Sequence, residues 1–267
     1  MKPLIHFAHA NGVPSQVYQK LFDLLKDEYE VIYVPLLGTD KRYPIDNHWE
    51  SLTNQVIDSI VRQAKGRPVI GLGHSLGSVL TFQAALKRPE LFSQVIMLDP
   101  PLIMGKDGFA LHVAKLLKLK AVDRMSPAAL SLRRRDHWDS REQAAELLRP
   151  KGFYKDFDAD CFQAYIDYAL TEDKVRGGVE LTIPKMDEVK VFRTNPSLWW
   201  LPQKKIHLPI HMVVAEQSPF LPRRFPQMVK KKFGVPFSIT AGGHMFPLEH
   251  PVEVVKLIKQ LIQQQAK

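Results

Sequence analysis

Residues 69–80 read Val-Ile-Gly-Leu-Gly-His-Ser-Leu-Gly-Ser-Val-Leu, an apolar run that is interrupted at residues 73–77 and then resumes with helical spacing. The pattern predicts a strand, a sharp turn and a helix in direct succession. Small residues two positions before and two positions after Ser75 allow the backbone to bend so tightly that the serine side chain projects outward. A base and a substrate carbonyl can reach a hydroxyl held in this way, so Ser75 is a candidate nucleophile.

The same stretch supports two other interpretations. Gly71, Gly73 and Gly77 form a G-x-G-x-x-x-G pattern, a variant of the dinucleotide-binding turn between a strand and a helix. Asp99 would then hold a ribose hydroxyl, and Ser75 would line a phosphate loop at a helix N-terminus. The third interpretation is a glycine-rich turn without chemistry, and this stretch alone does not decide among the three.

Composition indicates an ordinary globular protein. The chain has 267 residues, of which 45% are hydrophobic and 24% charged, enough for one large core with an inserted subdomain. It shows no signal-peptide pattern and no run of about 18 apolar residues, so neither export nor a membrane span is predicted. Cys161 is the single cysteine, which excludes an intramolecular disulfide. We therefore expect a cytoplasmic protein.

The formal net charge of +9 raises the question of an anionic partner. The densest basic clusters, residues 133–135 and 230–232, are short and lie in helix-like patterns without a nucleic-acid-binding motif. A solvated surface explains them, and no nucleic-acid partner is predicted. The expected partner is a small-molecule acyl substrate that is apolar or anionic. The net charge is only an indication in favour of an anionic one.

Six short apolar runs bounded by turn residues predict buried parallel strands. They lie at residues 4–8, 31–34, 69–73, 95–98, 210–215 and 237–240. Helical patterns at 15–26, 49–65, 78–87 and 252–263 alternate with them. This alternation predicts an α/β fold with a doubly wound, mostly parallel sheet of about six strands.

The interval from Pro100 to about Leu208 breaks the alternation with about a hundred residues of mostly helical pattern. One of its helix signals is the capping box formed by Ser140 and Gln143. We expect a core made of residues 1–100 and 208–267. Residues 101–207 are predicted to form a mainly helical cap over the carboxyl edge of the sheet, where such sheets bind ligands.

A nucleophilic serine needs a base, and a histidine stands where one is expected. His244 lies in the glycine-rich stretch 241–251, directly after the last predicted strand and therefore at the carboxyl edge. The chain order serine, acid, histidine is the order found on sheets of this type. His250, between Glu249 and Pro251 at the start of the final helix, is the competing histidine and is not favoured.

Attack on a carbonyl also needs donors for the oxyanion. The first predicted strand runs into residues 8–14, an exposed turn at the same edge of the sheet. The backbone N–H groups of Val13 and of Leu76, the residue after the nucleophile, would form a two-donor hole worth ~3 kcal/mol per donor. A turn rich in Asn and Gly can equally exist without a function.

These motifs together resemble the α/β-hydrolase superfamily, particularly its capped esterase, lipase and haloperoxidase-like members. The resemblance spans nearly the whole chain. Residues 11–14, Asn-Gly-Val-Pro, stand where those enzymes have His-Gly-x-Pro, and Gly243-His244 with Pro247, Glu249 and Pro251 is similar to their last motif. The resemblance implies a sheet that lacks the first two strands of the family.

The position of the candidate acid in this chain differs from the family pattern. Where the family has Gly-x-x-Asp after the strand that follows the cap, this chain reads Ala215-Glu216-Gln217-Ser218, and serine cannot play that part. Asp99, which ends the strand after the nucleophile helix, is the preferred acid, because some family members use that position. Glu216 is the alternative, and a site without an acid is the third possibility.

The resemblance implies a serine esterase that cleaves a carboxylic ester, or a related thioester or lactone, through an acyl-serine intermediate. Carbon–carbon bond cleavage also stays open. Ser75 would attack, His244 would transfer the proton and Asp99 would orient His244. No cofactor and no metal are predicted, and Ser75 argues against family members that use an aspartate nucleophile. The alternatives are an NAD(P)-dependent reductase built on Gly71, Gly73 and Gly77, and a catalytically silent binding protein.

Overall fold

The computed structural model describes residues 1–202 and 206–265. The strands in this part of the chain are β1 (Leu4–Ala8), β2 (Glu30–Tyr33), β3 (Val69–His74), β4 (Phe92–Leu98), β5 (His137–Trp138), β6 (Leu170–Glu172), β7 (Val179–Leu181), β8 (Ile210–Ala215) and β9 (Phe237–Thr240).

The helices of the first half are α1 (Gln19–Leu25), α2 (Glu50–Ala64), α3 (Leu76–Lys87), α4 (Gly105–Leu116), α5 (Ala121–Arg124) and α6 (Ala128–Arg133). Those of the second half are α7 (Arg141–Leu148), α8 (Ala159–Tyr168), α9 (Lys185–Arg193), α10 (Phe225–Phe233), α11 (Phe246–Glu249) and α12 (Pro251–Gln265). Short 3-10 helices span Ser15–Tyr18, Asn47–Trp49 and Pro89–Leu91.

Six strands form one parallel sheet in the order β2-β1-β3-β4-β8-β9. Every neighbouring pair is parallel. Ala8 of β1 lies beside Gly73 of β3, and Gly73 lies beside Met97 of β4, so these three strands end at the same edge of the sheet. The prediction of a doubly wound sheet of about six parallel strands is confirmed.

The sheet is covered by helices on both faces, which explains why its central strands are continuously apolar. Phe7 of β1 packs in one core cluster with Leu21 of α1 and Ile258 of α12. The next residue, Ala8, faces the opposite cluster together with residues of α2 and α3. Alternate residues of a strand point to opposite faces, so β1 contributes to both cores at once.

The segment between β4 and β8 contains helices α4 to α9 and also a small antiparallel sheet in the order β5-β7-β6. The prediction of a mainly helical segment missed this sheet, because strands of two or three residues are too short to show alternation. Half of the capping box is present: Ser140 Oγ accepts the N–H of Gln143 at 3.2 Å, but Gln143 Oε1 accepts the N–H of Asp139 at 3.0 Å rather than that of Ser140. That residues 101–207 act as a cap stays a prediction.

Two further features concern membrane crossing and the single cysteine. Among the described residues, no helix has both the length and the apolar character that a bilayer crossing requires. Cys161 is buried in α8, and burial raises the pKa of its thiol to about 12. A thiol in that environment packs as a small apolar side chain rather than reacting as a thiolate.

Candidate active site

Ser75 lies on the sharp turn that the sequence predicts, between the end of β3 at His74 and the start of α3 at Leu76. Its φ of 52° is in the left-handed region that L-residues rarely adopt, with ψ at −115°. The N–H of Ser75 donates to the carbonyl of Leu98 at 2.9 Å, which ties the turn to β4. The backbone is therefore held in a strained form that presents the serine side chain at the carboxyl edge of the sheet.

The glycines around Ser75 are required by close packing. A Cβ at Gly73 would clash with the backbone carbonyl of Gly77, and a Cβ at Gly77 would clash with the carbonyl of Ala8. A Cβ at Gly71 would come within 2.7 Å of the Thr81 side chain. Packing of α3 against β1 and β3 thus accounts for all three glycines of the G-x-G-x-x-x-G pattern without a dinucleotide.

A chain of two hydrogen bonds joins Ser75, His244 and Asp99. His244 Nε2 lies 2.9 Å from Ser75 Oγ, and His244 Nδ1 lies 2.6 Å from Asp99 Oδ2. A carboxylate only accepts hydrogen bonds, so Nδ1 carries the proton and Nε2 is left to accept from the serine hydroxyl. Sequence reasoning singled out these three residues, and the structure brings them together from the ends of β3, β4 and β9.

Asp99 is held by its surroundings in the orientation that His244 needs. The residue is 1% exposed and has a φ of 43°, so the backbone turns sharply where β4 ends. Its second carboxylate oxygen accepts the N–H of Ala215 at 3.2 Å, and its own N–H donates to the carbonyl of Val213 at 2.8 Å. Strand β8 thereby fixes the carboxylate from the opposite side.

Glu216, the alternative acid, does not lie against His244. Its side chain is exposed and has no hydrogen-bond partner among the described residues, and its N–H donates to the carbonyl of Thr240 at 2.8 Å. Ser218, at the position where the family pattern has its acid, is buried and accepts the N–H of Phe220 at 3.2 Å. The alternative assignment is corrected accordingly, since Asp99 alone of the two acids contacts the imidazole.

The loop that carries His244 is stabilised by Glu249. The carboxylate of Glu249 accepts the N–H of Gly243 at 2.7 Å, and Gly242 adopts a φ of 102° that favours glycine. Phe220 packs edge-on against the His244 ring at a centroid separation of 5.7 Å. His250 is exposed at the end of α11, outside this arrangement, as the sequence predicts.

His74 is a contributor that sequence reasoning missed. Its Nδ1 lies 2.7 Å from the hydroxyl of Tyr18, and its Nε2 lies 2.8 Å from the backbone carbonyl of His244. A carbonyl only accepts, so Nε2–H donates to it and Nδ1 accepts the tyrosine O–H. Burial, followed by the neighbouring His244, lowers the pKa of His74 to about 3, so the ring is neutral at pH 7. The residue next to the serine therefore holds the backbone of the histidine.

The predicted oxyanion donors have different surroundings. The N–H of Leu76, at the first position of α3, has no acceptor in the described part of the chain. The N–H of Val13 instead donates to the carbonyl of Ala10 at 3.1 Å and closes a turn. This engagement corrects the expectation for Val13. The N–H groups of Asn11 and Gly12 in the same turn have no acceptor in residues 1–202 and 206–265.

Helix α9 of the inserted segment packs directly on this turn. The side-chain amide of Asn11 donates to the carbonyl of Glu188 at 3.0 Å. The Glu188 carboxylate lies so close that a Cβ at Gly12 would be 2.7 Å from its Oε2. Gly12 also has a φ of 74°, so both its conformation and its neighbour require glycine.

The Glu188 carboxylate is buried and fully paired. It accepts from Arg134 Nη1 at 2.6 Å and from Ser131 Oγ at 2.6 Å. The other end of the guanidinium donates to the hydroxyls of Tyr165 at 3.0 Å and Tyr154 at 3.2 Å. An ionic network within the inserted segment thus fixes the position of the carboxylate against the turn at Gly12.

This arrangement is suited to nucleophilic chemistry. A serine hydroxyl bonded to an imidazole, which is in turn oriented by a buried carboxylate, can lose its proton as it attacks a carbonyl. Within the described residues, no group of three or more His, Cys, Asp or Glu side chains could hold a metal ion.

Comparison with known proteins identifies the family of the chain. A sequence model of the alpha/beta hydrolase family matches residues 7–257. The type I acyl-CoA thioesterase mpaH of Penicillium brevicompactum is 23% identical over 216 residues, which cover 68% of this chain and 47% of that protein. The chain therefore spans about half the length of this curated relative.

Solved structures share the fold. E-2-(acetamidomethylene)succinate hydrolase superposes with a TM-score of 0.74 at 21% identity, covering 98% of this chain and 92% of the other. The thioesterase domain from the curacin biosynthetic pathway superposes with a TM-score of 0.71 at 17% identity, covering 96% and 91%. The family match spans nearly the whole chain, and the protein belongs to the alpha/beta hydrolase family.

Proposed function

We propose that this hydrolase is a serine hydrolase that cleaves a carboxylic ester or a related acyl compound through an acyl-serine intermediate. The single observation that carries the proposal is the pair of hydrogen bonds from Ser75 Oγ to His244 Nε2 and from His244 Nδ1 to Asp99 Oδ2. Membership of a hydrolase family and the packing role of the three glycines remove the support for a reductase.

The acylation step follows from this geometry. Ser75 Oγ forms a bond to the substrate carbonyl carbon while its proton passes to His244 Nε2, and the carbonyl electron pair moves onto oxygen. When the tetrahedral intermediate collapses, the bond to the leaving oxygen or sulfur breaks. The leaving group takes the proton from Nε2. Asp99 keeps the imidazole in the required tautomer and stabilises the imidazolium without taking the proton.

Deacylation repeats these steps with water as the nucleophile. A water oxygen forms a bond to the acyl carbon as its proton passes to His244 Nε2. The bond to Ser75 Oγ then breaks, and Oγ regains the proton from the imidazolium. The net reaction consumes one water and releases a carboxylic acid and an alcohol or thiol.

The oxyanion of both intermediates needs two donors. We assign one to the N–H of Leu76, because it lacks an acceptor and directly follows the nucleophile. The second donor comes from the turn at residues 10–13. Since the N–H of Val13 is bonded to Ala10, one of the two N–H groups without an acceptor in this turn, that of Asn11 or that of Gly12, replaces it in our assignment.

Residues 101–207 serve as the cap in this proposal. Support comes from α9, whose Glu188 packs on the turn that supplies the second oxyanion donor. A segment in that position can shape the acyl pocket and exclude water from the intermediate.

A thioester is the second candidate substrate class. It is favoured by the names of two similar proteins, a type I acyl-CoA thioesterase and a thioesterase domain. The chemistry at Ser75 is the same for both classes, since only the leaving atom differs.

A substrate panel tests the proposal. Purified protein is assayed with p-nitrophenyl esters of increasing acyl length, acyl-CoA thioesters and lactones, each with the wild type and Ser75→Ala. We expect hydrolysis of at least one class by the wild type and a loss of at least 1,000-fold in Ser75→Ala. Turnover that survives in Ser75→Ala contradicts the mechanism, and no turnover with any class favours the silent binding protein.

A further inference from the structure

A positively charged cleft lies in the inserted segment beside the ends of α4 and α9. It has a volume of about 430 Å³, within the range of small-molecule sites. Four basic side chains, Lys115, Lys118, Lys120 and Arg193, line it together with a single acid, Asp123. The walls therefore carry three more positive than negative charges, and we name this recess the cationic cleft.

Among the described residues, the one carboxylate in the cleft, that of Asp123, does not neutralise its charge. Arg193 forms a two-point ion pair with Asp123, at 2.7 Å and 2.8 Å. Lys115 Nζ donates to the backbone carbonyl of Asn195 at 2.7 Å, and burial lowers its pKa to about 8. Within the described part of the chain, Lys118 and Lys120 have no ion-pair partner. The cleft thus holds desolvated or unpaired cations, which an anionic ligand would stabilise.

The backbone between α4 and α5 places a lysine where glycine is usual. The N–H of Leu119 donates to Ala114 and that of Lys118 to Lys115, at 2.9 Å and 3.1 Å. These two bonds form a Schellman motif, whose left-handed position is normally glycine. Lys118 occupies that position with a φ of 52°. A glycine would relieve the strain but would remove one cation from the cleft.

Helix α9 connects the cationic cleft to the proposed active site. Glu188 on this helix lies against the turn at Gly12, and Arg193 lies in the cleft. Five residues of α-helix correspond to about 7.5 Å along the axis. The turn itself adjoins the nucleophile helix, because Gly77 N–H donates to the carbonyl of His9 at 3.0 Å. Helix α9 therefore contacts both the cationic cleft and the turn that adjoins the nucleophile helix.

We propose that the cationic cleft binds the phosphate groups of the leaving group of a thioester substrate. The assignment rests on the proposed function for the thioester itself. Lysine ammonium groups bind phosphate as point charges, and this role falls to Lys118 and Lys120, because the guanidinium of Arg193 is already paired with Asp123. The recess is the size of a small-molecule site and includes the apolar side chains of Leu119 and Val122, which suits a small organic phosphate better than the extended grooves that bind nucleic acid.

Direct binding tests the cleft independently of turnover. Ser75→Ala protein is titrated by calorimetry with coenzyme A, which carries phosphates, and with pantetheine, which does not. The same titrations are made with Lys118→Gln/Lys120→Gln added, and with Lys230→Gln/Lys231→Gln, which removes the same charge from α10, as the matched control. All four lysines are exposed, so the substitutions preserve folding.

We expect the Kd for coenzyme A to rise about tenfold in Lys118→Gln/Lys120→Gln and to stay within twofold in the control. Pantetheine binding is expected to be the same in all three proteins. An unchanged Kd for coenzyme A, or an equal rise in the control, would overturn the proposal. So would binding to phosphatidylglycerol vesicles that depends on Lys118 and Lys120 in a protein that does not bind coenzyme A.

Kinetics separates a leaving-group site from a site for a free phosphate ligand. The value of kcat/KM is measured with an acyl-CoA and with the matching acyl-pantetheine. In Lys118→Gln/Lys120→Gln we expect about a tenfold decrease for acyl-CoA only. If coenzyme A binds but neither thioester is affected, the leaving-group assignment is wrong. If the wild type hydrolyses no acyl compound, the proposed function fails while the calorimetric result still decides whether the cleft binds phosphate.

Discussion

His74 Nε2 lies 2.8 Å from the backbone carbonyl of His244, and the same imidazole accepts the hydroxyl of Tyr18 at 2.7 Å. The residue that precedes the proposed nucleophile thus fixes the loop that carries the proposed base, 170 positions further along the chain. Its hydrogen bonds need a neutral ring with the proton on Nε2, and burial lowers the pKa of His74 to about 3.

Removing the hydroxyl of Tyr18 should destabilise the fold. Tyr18→Phe leaves Nδ1 of His74 buried without a donor, and the expected loss is about 1–3 kcal/mol in the free energy of unfolding. Tyr43→Phe is the matched control, since the hydroxyl of Tyr43 bonds to Asp58 at the surface. Urea unfolding followed by circular dichroism measures both. Equal effects in the two variants would show that the buried Tyr18 bond stabilises the fold no more than the surface bond of Tyr43 does.

Three buried histidines should make the protein sensitive to mild acid. Burial lowers the pKa to about 3 for His6 and His74 and to about 4 for His9, against an ordinary value of 6.5. Between pH 6.5 and about 4 the unfolded chain binds protons that the folded protein does not, so the free energy of unfolding falls as the pH falls. From pH 7.5 to 5.5 the expected loss is about 1.4 kcal/mol per histidine, roughly 4 kcal/mol in total.

The measurement is urea unfolding across that pH range, with His6→Gln as the comparison. His6 bonds to Ser59 on α2, away from the proposed site, and its replacement should reduce the loss between pH 7.5 and 5.5 by about 1.4 kcal/mol. A free energy of unfolding that is constant from pH 7.5 to 5.5 would contradict the neutral state of these rings.

Asp99 and Glu216 should differ sharply in their effect on activity. Asp99→Asn removes the carboxylate that fixes the tautomer of His244, and kcat is expected to fall by about 10³–10⁴. Glu216→Gln alters an exposed side chain and should change kcat by less than about twofold. Steady-state kinetics on one ester compares them. A larger loss in Glu216→Gln would reverse the assignment of the acid.

The effects of replacing Arg134 and Glu188 on the free energy of unfolding should be strongly non-additive, because the two side chains form a buried ion pair. Arg134→Met leaves a carboxylate that is 7% exposed without its cation, at an expected cost of about 3 kcal/mol. Arg134→Met/Glu188→Met removes both charges and should recover most of that loss. The control is the pair of exposed Arg223 and partly buried Asp107, where Arg223→Met should cost less than about 1 kcal/mol.

Thermal unfolding and urea unfolding of the three variants measure this coupling. If the double variant is less stable than Arg134→Met alone, the carboxylate is stabilised by something other than the guanidinium.

Local sequence patterns predict much of the fold and part of the candidate site. The parallel strands are continuous apolar runs, and the turn at Ser75 is marked by glycines that its own packing requires. The choice between Asp99 and Glu216 needed the tertiary structure, because both residues follow strands that end at the same edge of the sheet. The left-handed backbone at Asp99 and its bond from Ala215 direct the Asp99 carboxylate towards His244, whereas the Glu216 side chain is exposed.

Other features had no local signal. The bond from His74 to His244 joins distant parts of the chain, and a histidine beside a serine does not indicate its partner. The engagement of Val13 with Ala10 depends on the exact turn geometry, which a sequence rich in Asn and Gly allows in several forms. The small sheet of β5, β6 and β7 consists of strands too short for a pattern to appear.

Covalent labelling of Ser75 tests the proposed mechanism most directly. The protein is incubated with a fluorophosphonate and digested, and the modified peptide is identified by mass spectrometry, with Ser75→Ala, His244→Ala and the surface variant Ser93→Ala in parallel. We expect one phosphonyl group on Ser75 in the wild type and in Ser93→Ala, none in Ser75→Ala, and a strongly reduced rate in His244→Ala. An unlabelled wild-type Ser75, or labelling that persists at the same rate without His244, would contradict its role as an activated nucleophile.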